Sequence, residues 1–201
     1  MGSMPKVVDH RERRMLIVDA LLRVAAERGL EAVSLRHVAA EAGVTSGMVQ
    51  HYFRTKDEMM AFAMVAVRER HAARIEEAMR RLGPAPSPRD LVRTMLAEVL
   101  PLDEPRRADG RVVLAFLAYA AVRPAAAALL REDTQWMLGF VGDQIRAAQD
   151  AGAARIVLDP APAAASLVAM MEGLGVYLLA GQYSPQTALD TLDAQLALIF
   201  G

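Results

Sequence analysis

The chain contains no cysteine. Disulfide frameworks, thiolate metal sites and cysteine nucleophiles are thereby excluded, and a reducing, cytoplasmic setting is expected. Aromatic residues make up only 5% of the chain, and no long run alternates apolar with polar residues, so a sheet has little to build on. Lysine occurs only at positions 6 and 56, and neither lysine nor arginine follows Arg155. That last absence bears on residues 160–182, an apolar stretch long enough to cross a bilayer. With no basic anchor on either flank and Glu172 near its middle, it reads as a buried helix of a soluble protein, with no membrane partner. Catalytic signatures are missing too: no H-E-x-x-H, no phosphate-cradling glycine loop and no G-x-S-x-G. The four histidines, His10, His37, His51 and His71, all lie in or beside the first third of the chain. The expectation is a protein that is not an enzyme and carries no cofactor and no metal.

What is present is apolar and helical. A 54% hydrophobic share of 201 residues supports a sizeable core, as one large domain or as a small domain joined to a bigger one. Met1–Ser3 read as a cloning scar ahead of Met4, and no signal peptide is expected, because Lys6–Arg14 is highly charged and Asp19 and Arg23 interrupt the next apolar run. Through Lys56, nine basic residues face six acidic ones, a net of +3, while the remainder nets −4. A basic head on an acidic body is the asymmetry expected when one end meets phosphate.

Helix starts are marked repeatedly. Thr55-Lys-Asp-Glu58 is a capping box, in which hydroxyl and carboxylate each satisfy an orphan amide. Ser87-Pro88, Asp159-Pro160 and Ser184-Pro185 put a capping residue before a proline at the first helical position, and Asp90 completes a box after Ser87. These marks predict helices at about 11–29, 34–41, 45–52, 56–82, 88–100, 106–122, 125–152, 160–181 and 185–200. Gly83-Pro84-Ala85-Pro86 ends a long helix rather than separating domains.

Residues 34–53, SLRHVAAEAGVTSGMVQHYF, break the apolar pattern with a short polar stretch. Leu35, Val38, Ala39 and Ala42 recur at helical spacing, and Gly43 suits a sharp left-handed exit. Thr45 then caps a second helix in which Val49 and Phe53 face inward with Val44, leaving Ser46, Gly47, Gln50 and His51 outward. Helix, glycine turn, helix is the arrangement of a DNA reader. Gln50 matches an adenine edge, Thr45 and Ser46 can bond phosphate or base, and Gly47 allows close backbone approach. Tyr52 and Lys56 stand where a helix dipole also favours phosphate, and Arg36 offers a further contact. His51 reads either as a DNA contact or as a capping and packing residue. Arg11, Arg13 and Arg14 read as a solvated face that assists phosphate binding.

The stretch AAEAGVTSGMVQHYFRTKDEM, preceded by an amphipathic helix ending at Gly29 and by SLRHVA, resembles the N-terminal domain of the TetR family of bacterial transcriptional regulators. The His51-Tyr52-Phe53 form resembles the branch containing the choline-responsive betaine repressor. The resemblance covers about residues 11–60. It implies an all-α fold: a three-helix helix-turn-helix DNA-binding domain, here 1–55, joined to a larger helical effector-binding and dimerisation domain, here 56–201. The function it implies is a homodimeric repressor that leaves palindromic double-stranded DNA when a small molecule binds. A helical adaptor or a small helical enzyme without DNA binding is the alternative.

Within the larger part, Phe116, Tyr119, Trp136, Met137, Phe140 and Met171 can line an adaptable apolar pocket for an effector, or can simply be core. Glu172, amid Met170, Met171, Leu174 and Leu178, calls for a partner: an arginine such as Arg123, a second protomer, or a cationic ligand. Leu167, Met171, Leu174 and Leu178 form one apolar stripe and Leu189, Leu192, Leu196 and Ile199 another, with Gly173 and Gly175 permitting close approach. The two stripes are expected to make a four-helix dimer interface.

Overall fold

The computed structural model describes residues 10–29, 33–154 and 159–201. Met1–Ser3, Lys6, Asp9 and Glu31 of the charge count, the side chain of Arg11, and Arg155 lie outside that description. The described residues form nine helices: α1 His10–Arg28, α2 Leu35–Ala42, α3 Ser46–Tyr52, α4 Lys56–Arg81, α5 Pro88–Val99, α6 Glu104–Ala120, α7 Pro124–Asp150, α8 Pro160–Leu179 and α9 Pro185–Phe200. No strand occurs among them.

The caps act as their sequences predict. Ser87, Asp159 and Ser184 each accept an amide of the following turn, with proline in the first turn. Glu58 N donates to Thr55 Oγ1 at 3.1 Å, and Arg54 N donates to Glu58 Oε2 at 2.9 Å. One helix starts earlier than expected. Asp103 caps α6 by accepting from Arg106 N, so α6 begins at Glu104 rather than near residue 106.

The chain divides into two compact units, Met1–Val67 and Arg68–Gly201. The division falls inside α4, not at its start near residue 56. The reason is burial: Met59, Met60, Ala63, Met64, Ala66 and Val67 of α4 are all buried, and they extend the apolar core of the first unit past the helix-turn-helix. In that unit α1 packs on α2, and α2 on α3. Arg23 Nε holds Glu41 Oε1 at 2.7 Å, an ion pair that ties α1 to α2.

The second unit is built round one apolar core drawn from α5, α7, α8 and α9. Arg93 on α5 grips Asp193 on α9 with Nε to Oδ1 at 2.6 Å and Nη2 to Oδ2 at 2.9 Å. Gly110 of α6 sits in close packing: a Cβ there would stand 3.3 Å from Pro101 Cβ and 3.5 Å from Leu179 Cδ1, so a larger residue would need Pro101 to give by a few tenths of an ångström.

The stripes expected to form a dimer interface are part of this core. Leu167, Leu192 and Leu196 have no exposed surface, Met171, Leu174, Leu178 and Ile199 are buried, and Leu189 is half-buried. All but Leu189 belong to the core of their own protomer and leave almost no surface for a second one. Most of the large aliphatic residues of α8 and α9 turn inward, which buries apolar surface, while Val176, Tyr177 and Leu198 stay exposed.

Candidate nucleic-acid interface

The turn between α2 and α3 depends on Gly43, whose φ of 66° is left-handed. Its amide donates to Ala40 O at 3.2 Å and that of Val44 to Ala39 O at 2.9 Å, which closes α2 and sends the chain away sharply. Ser34 caps α2 by accepting from His37 N, and Thr45 caps α3 by accepting from Met48 N at 3.2 Å. Thr45 Oγ1 is thus held at the tip of α3, with its proton still available to donate.

Burial sorts α3 into two sides. Val49 and the following Phe53 have no exposed surface, whereas Thr45, Ser46, Gly47, Gln50 and His51 are exposed. Arg36 is exposed on α2, Val44 is half-buried in the turn, and Tyr52 and Lys56 are half-buried at the exit of α3 and the start of α4. A Cβ on Gly47 would meet only Thr45 Oγ1, at 3.9 Å. Packing inside the protein therefore does not demand glycine there.

Two features escape the sequence reading. Met48 is 36% exposed on α3, an apolar group on an otherwise polar face and a match for a thymine methyl. His10, the first residue of α1, joins the rings of the reader: its centroid lies 5.3 Å from that of Tyr52 and 6.2 Å from that of His51, and His51 stands edge-on to Tyr52 at 5.2 Å. Nothing in local spacing brings residue 10 to residue 52.

Arg14 corrects an expectation. It is not on a solvated face: its guanidinium lies 4.8 Å from the Phe53 ring centroid and 4.2 Å from that of Phe62, with Glu58 Oε1 at 3.8 Å. It clamps α1 onto the aromatic pair that backs the reader helix.

Residues 17–61 match the family model for bacterial regulatory proteins of the tetR family, and residues 88–201 match the C-terminal model of BetI-type transcriptional repressors. The chain belongs to the TetR family. Over 118 residues it is 43% identical to the HTH-type transcriptional regulator PksA of Bacillus subtilis, a match taking in 58% of this chain and 56% of PksA. The chain thus spans a little over half the length of that relative. It is 27% identical to the regulator BetI 1 of Chromohalobacter salexigens over 96% of this chain and 95% of that one. A transcriptional regulator from Rhodococcus sp. Rha1 has the same fold, with a TM-score of 0.81, 32% identity, and coverage of 92% and 95% of the two chains.

In the larger unit of this TetR-family chain, the residues expected to line an effector pocket differ in burial. Met171 belongs to the apolar core, with Met137 and Phe140 packed against it. Phe116 is buried on α6, its ring 5.9 Å from that of half-buried Tyr119. Trp136 stacks on Phe140 at 5.9 Å but is 58% exposed, because its position on α7 turns it outward from the core. It is not enclosed as a pocket residue would be.

Glu172 is likewise on the outside of α8, exposed and without an ion pair or hydrogen bond in its own protomer. Partial burial alone raises its pKa above the ordinary carboxylate range. The suggested partner Arg123 is engaged elsewhere, 4.0 Å over the Tyr119 ring and donating to Tyr119 O. Beside Glu172 the outer face of α8 carries Gly173, Val176 and Tyr177, the last two 40% and 44% exposed, and on α9 Leu198 is 57% exposed. The helix that sequence alone reads as wholly buried is therefore buried on one side only. It is the one described helix long and apolar enough to cross a membrane, with a third of its apolar window buried.

Proposed function

We propose that the protein is a dimeric, cytoplasmic transcriptional repressor that lays residues 45–52 of each protomer into the major groove of a near-palindromic operator and leaves it when a small apolar effector binds. The observation that carries the reading is the two-sidedness of α3, with Val49 and Phe53 fully buried and Ser46, Gly47, Gln50 and His51 exposed beside Arg36, Tyr52 and Lys56. Gln50 supplies base readout, Met48 an apolar base contact, and Thr45, Tyr52 and Lys56 phosphate contacts. Gly47 lets the backbone come close to the DNA.

The second protomer covers the outer face of α8 and α9, where Val176, Tyr177 and Leu198 leave apolar surface around Gly173, a position at which a Cβ would meet nothing within 4 Å. The effector acts on the second unit, and α4, continuous from Lys56 to Arg81, is the element common to both units. Coupling of this kind is reciprocal and amounts to about 1–3 kcal/mol.

The test is selection of genomic DNA fragments by the purified full chain, followed by gel shift. A shared near-palindromic motif, with half-sites about one helical turn or a multiple apart, supports the reading. Retention of fragments with no common motif leaves the helical adaptor or enzyme reading in its place.

A further inference from the structure

Arg74 of α4 uses one side of its guanidinium and leaves the other without an acceptor. Nη1 donates to Asp109 Oδ2 at 3.1 Å, while Nε and Nη2, both buried, meet no hydrogen-bond partner. Those two N–H groups lie on the same edge of the planar guanidinium, the fork that takes both oxygens of a carboxylate. Arg93 shows in this very chain what that edge does when it is engaged, with Nε and Nη2 on the two oxygens of Asp193 at 2.6 and 2.9 Å.

The carboxylates of the neighbourhood are already committed. Asp109, 6% exposed, is shared with Arg70, whose Nη2 lies 2.9 Å from Oδ1. Asp103 is held by Arg106, and Asp133 by Arg68 at 3.0 Å. His71 Nε2 is 4.0 Å from Asp109 Oδ2, and the surrounding burial keeps the imidazole neutral. A charged donor pair buried without an acceptor is unfavourable, and such groups call for a physical reason.

We propose that the Nε and Nη2 edge of Arg74 is the seat of an anionic head group, a carboxylate carried on an apolar body. The inference rests on the effector reading above and gives that effector a chemical class. A free inorganic anion fits poorly, because these donors are buried and the ion would have to shed its water with nothing to offset the loss. An apolar body supplies the offset. Val112 and Phe116 share the buried face of α6 with Asp109, and the seven rises from Asp109 to Phe116 span about 10 Å, so a body seated at Arg74 would find its apolar contacts by parting their present packing.

Calorimetric titration of the full chain with octanoate, 1-octanol, octyltrimethylammonium and inorganic phosphate tests this. Octanoate should bind the wild type in preference to the other three, and Arg74→Gln should weaken it by roughly 10- to 100-fold, the effect of a lost charged hydrogen-bond pair. Asp109→Asn, which removes the competing carboxylate, should tighten octanoate binding and guards against an Arg74→Gln chain that does not fold. No binding of octanoate to the wild type, equal binding of octanol, a preference for the cation, or octanoate affinity unmoved in folded Arg74→Gln each overturns the proposal. So does weaker or unchanged binding in Asp109→Asn. Gel shift of the probe-free wild type reads the repressor function separately: loss of selective DNA binding there sinks that function whatever octanoate does, and intact DNA binding with failed octanoate binding sinks only the anionic effector.

Discussion

Gln50 stands on the exposed side of α3 one residue after fully buried Val49, so its substitution should leave the fold alone. A bidentate base contact is worth about 1–3 kcal/mol of discrimination, and Gln50→Ala should relax preference at one position in each half-site, read by competition gel shift against single-base variants. Lys56→Ala should act differently: it should weaken all sequences together and lower the slope of log affinity against log salt by about one per protomer. An unchanged salt slope would take Lys56 out of the phosphate contacts. Arg14 belongs to stability instead. With its guanidinium within 4.8 Å of both Phe53 and Phe62 ring centroids, Arg14→Ala should cost about 1–2 kcal/mol in denaturant unfolding of the first unit. Residue by residue, the outward and inward sides of α3 were legible because Val49 and Phe53 are four apart. The places of His10 and Arg14 were not, since α1 meets α3 and α4 only after the chain has turned twice.

Helix α8 is the element whose two sides sequence alone could not rank. Both are largely apolar; Leu167, Met171, Leu174 and Leu178 went to the protomer's own core, while Tyr177, its bulkiest side chain, stayed 44% exposed. Charge placed on the two sides should therefore have opposite outcomes. Val176→Glu with Leu198→Glu should yield folded monomers in sedimentation, whereas Leu192→Glu, at a position with no exposed surface, should unfold the second unit. Folded dimers from the first pair would move the interface elsewhere. Glu172 adds a pH signature. Its pKa is raised by burial, so the charged form is the disfavoured one in the folded chain. The stability it contributes is full below the ordinary carboxylate range and is lost as pH rises through the raised value. Glu172→Gln should thus melt higher than wild type at neutral pH, with the difference closing as the solution is acidified. Helix limits, by contrast, were legible to within a few residues, because Ser87, Asp159 and Ser184 cap by local chemistry that needs no partner element.

At the scale of the molecule, the second unit carries its own titration. His71 has its pKa lowered to about 4, first by burial and then by Arg74, with Arg70 adding to the effect and Asp109 and Asp133 opposing it. The folded state keeps the imidazole neutral while the unfolded chain protonates it near 6.5, so this contribution is complete above pH 6.5 and is lost as pH falls towards 4. At about 1.4 kcal/mol per unit the loss is about 3 kcal/mol. Thermal midpoints of the full chain should drop over that window, and His71→Gln should flatten the drop; a slope unchanged by the substitution would assign the acid sensitivity to other groups.

Local chemistry determined a good deal: the all-helical class, the punctuation of the helices, the helix-turn-helix at 34–53 and the outward side of its reader. Each of these depends on residues within one or two turns of one another, through hydrogen-bonded caps, a left-handed glycine and a 3.6-residue period, all of which sequence displays directly. The tertiary structure alone decided that the first unit takes in the start of α4, that the leucine stripes of α8 and α9 are core, that Trp136 and Glu172 lie outside it, and that Arg70 and Arg74 close on Asp109, 35 residues or more away. Those outcomes follow from which apolar side buries more surface once several helices compete for the same interior, a comparison that no single helix contains.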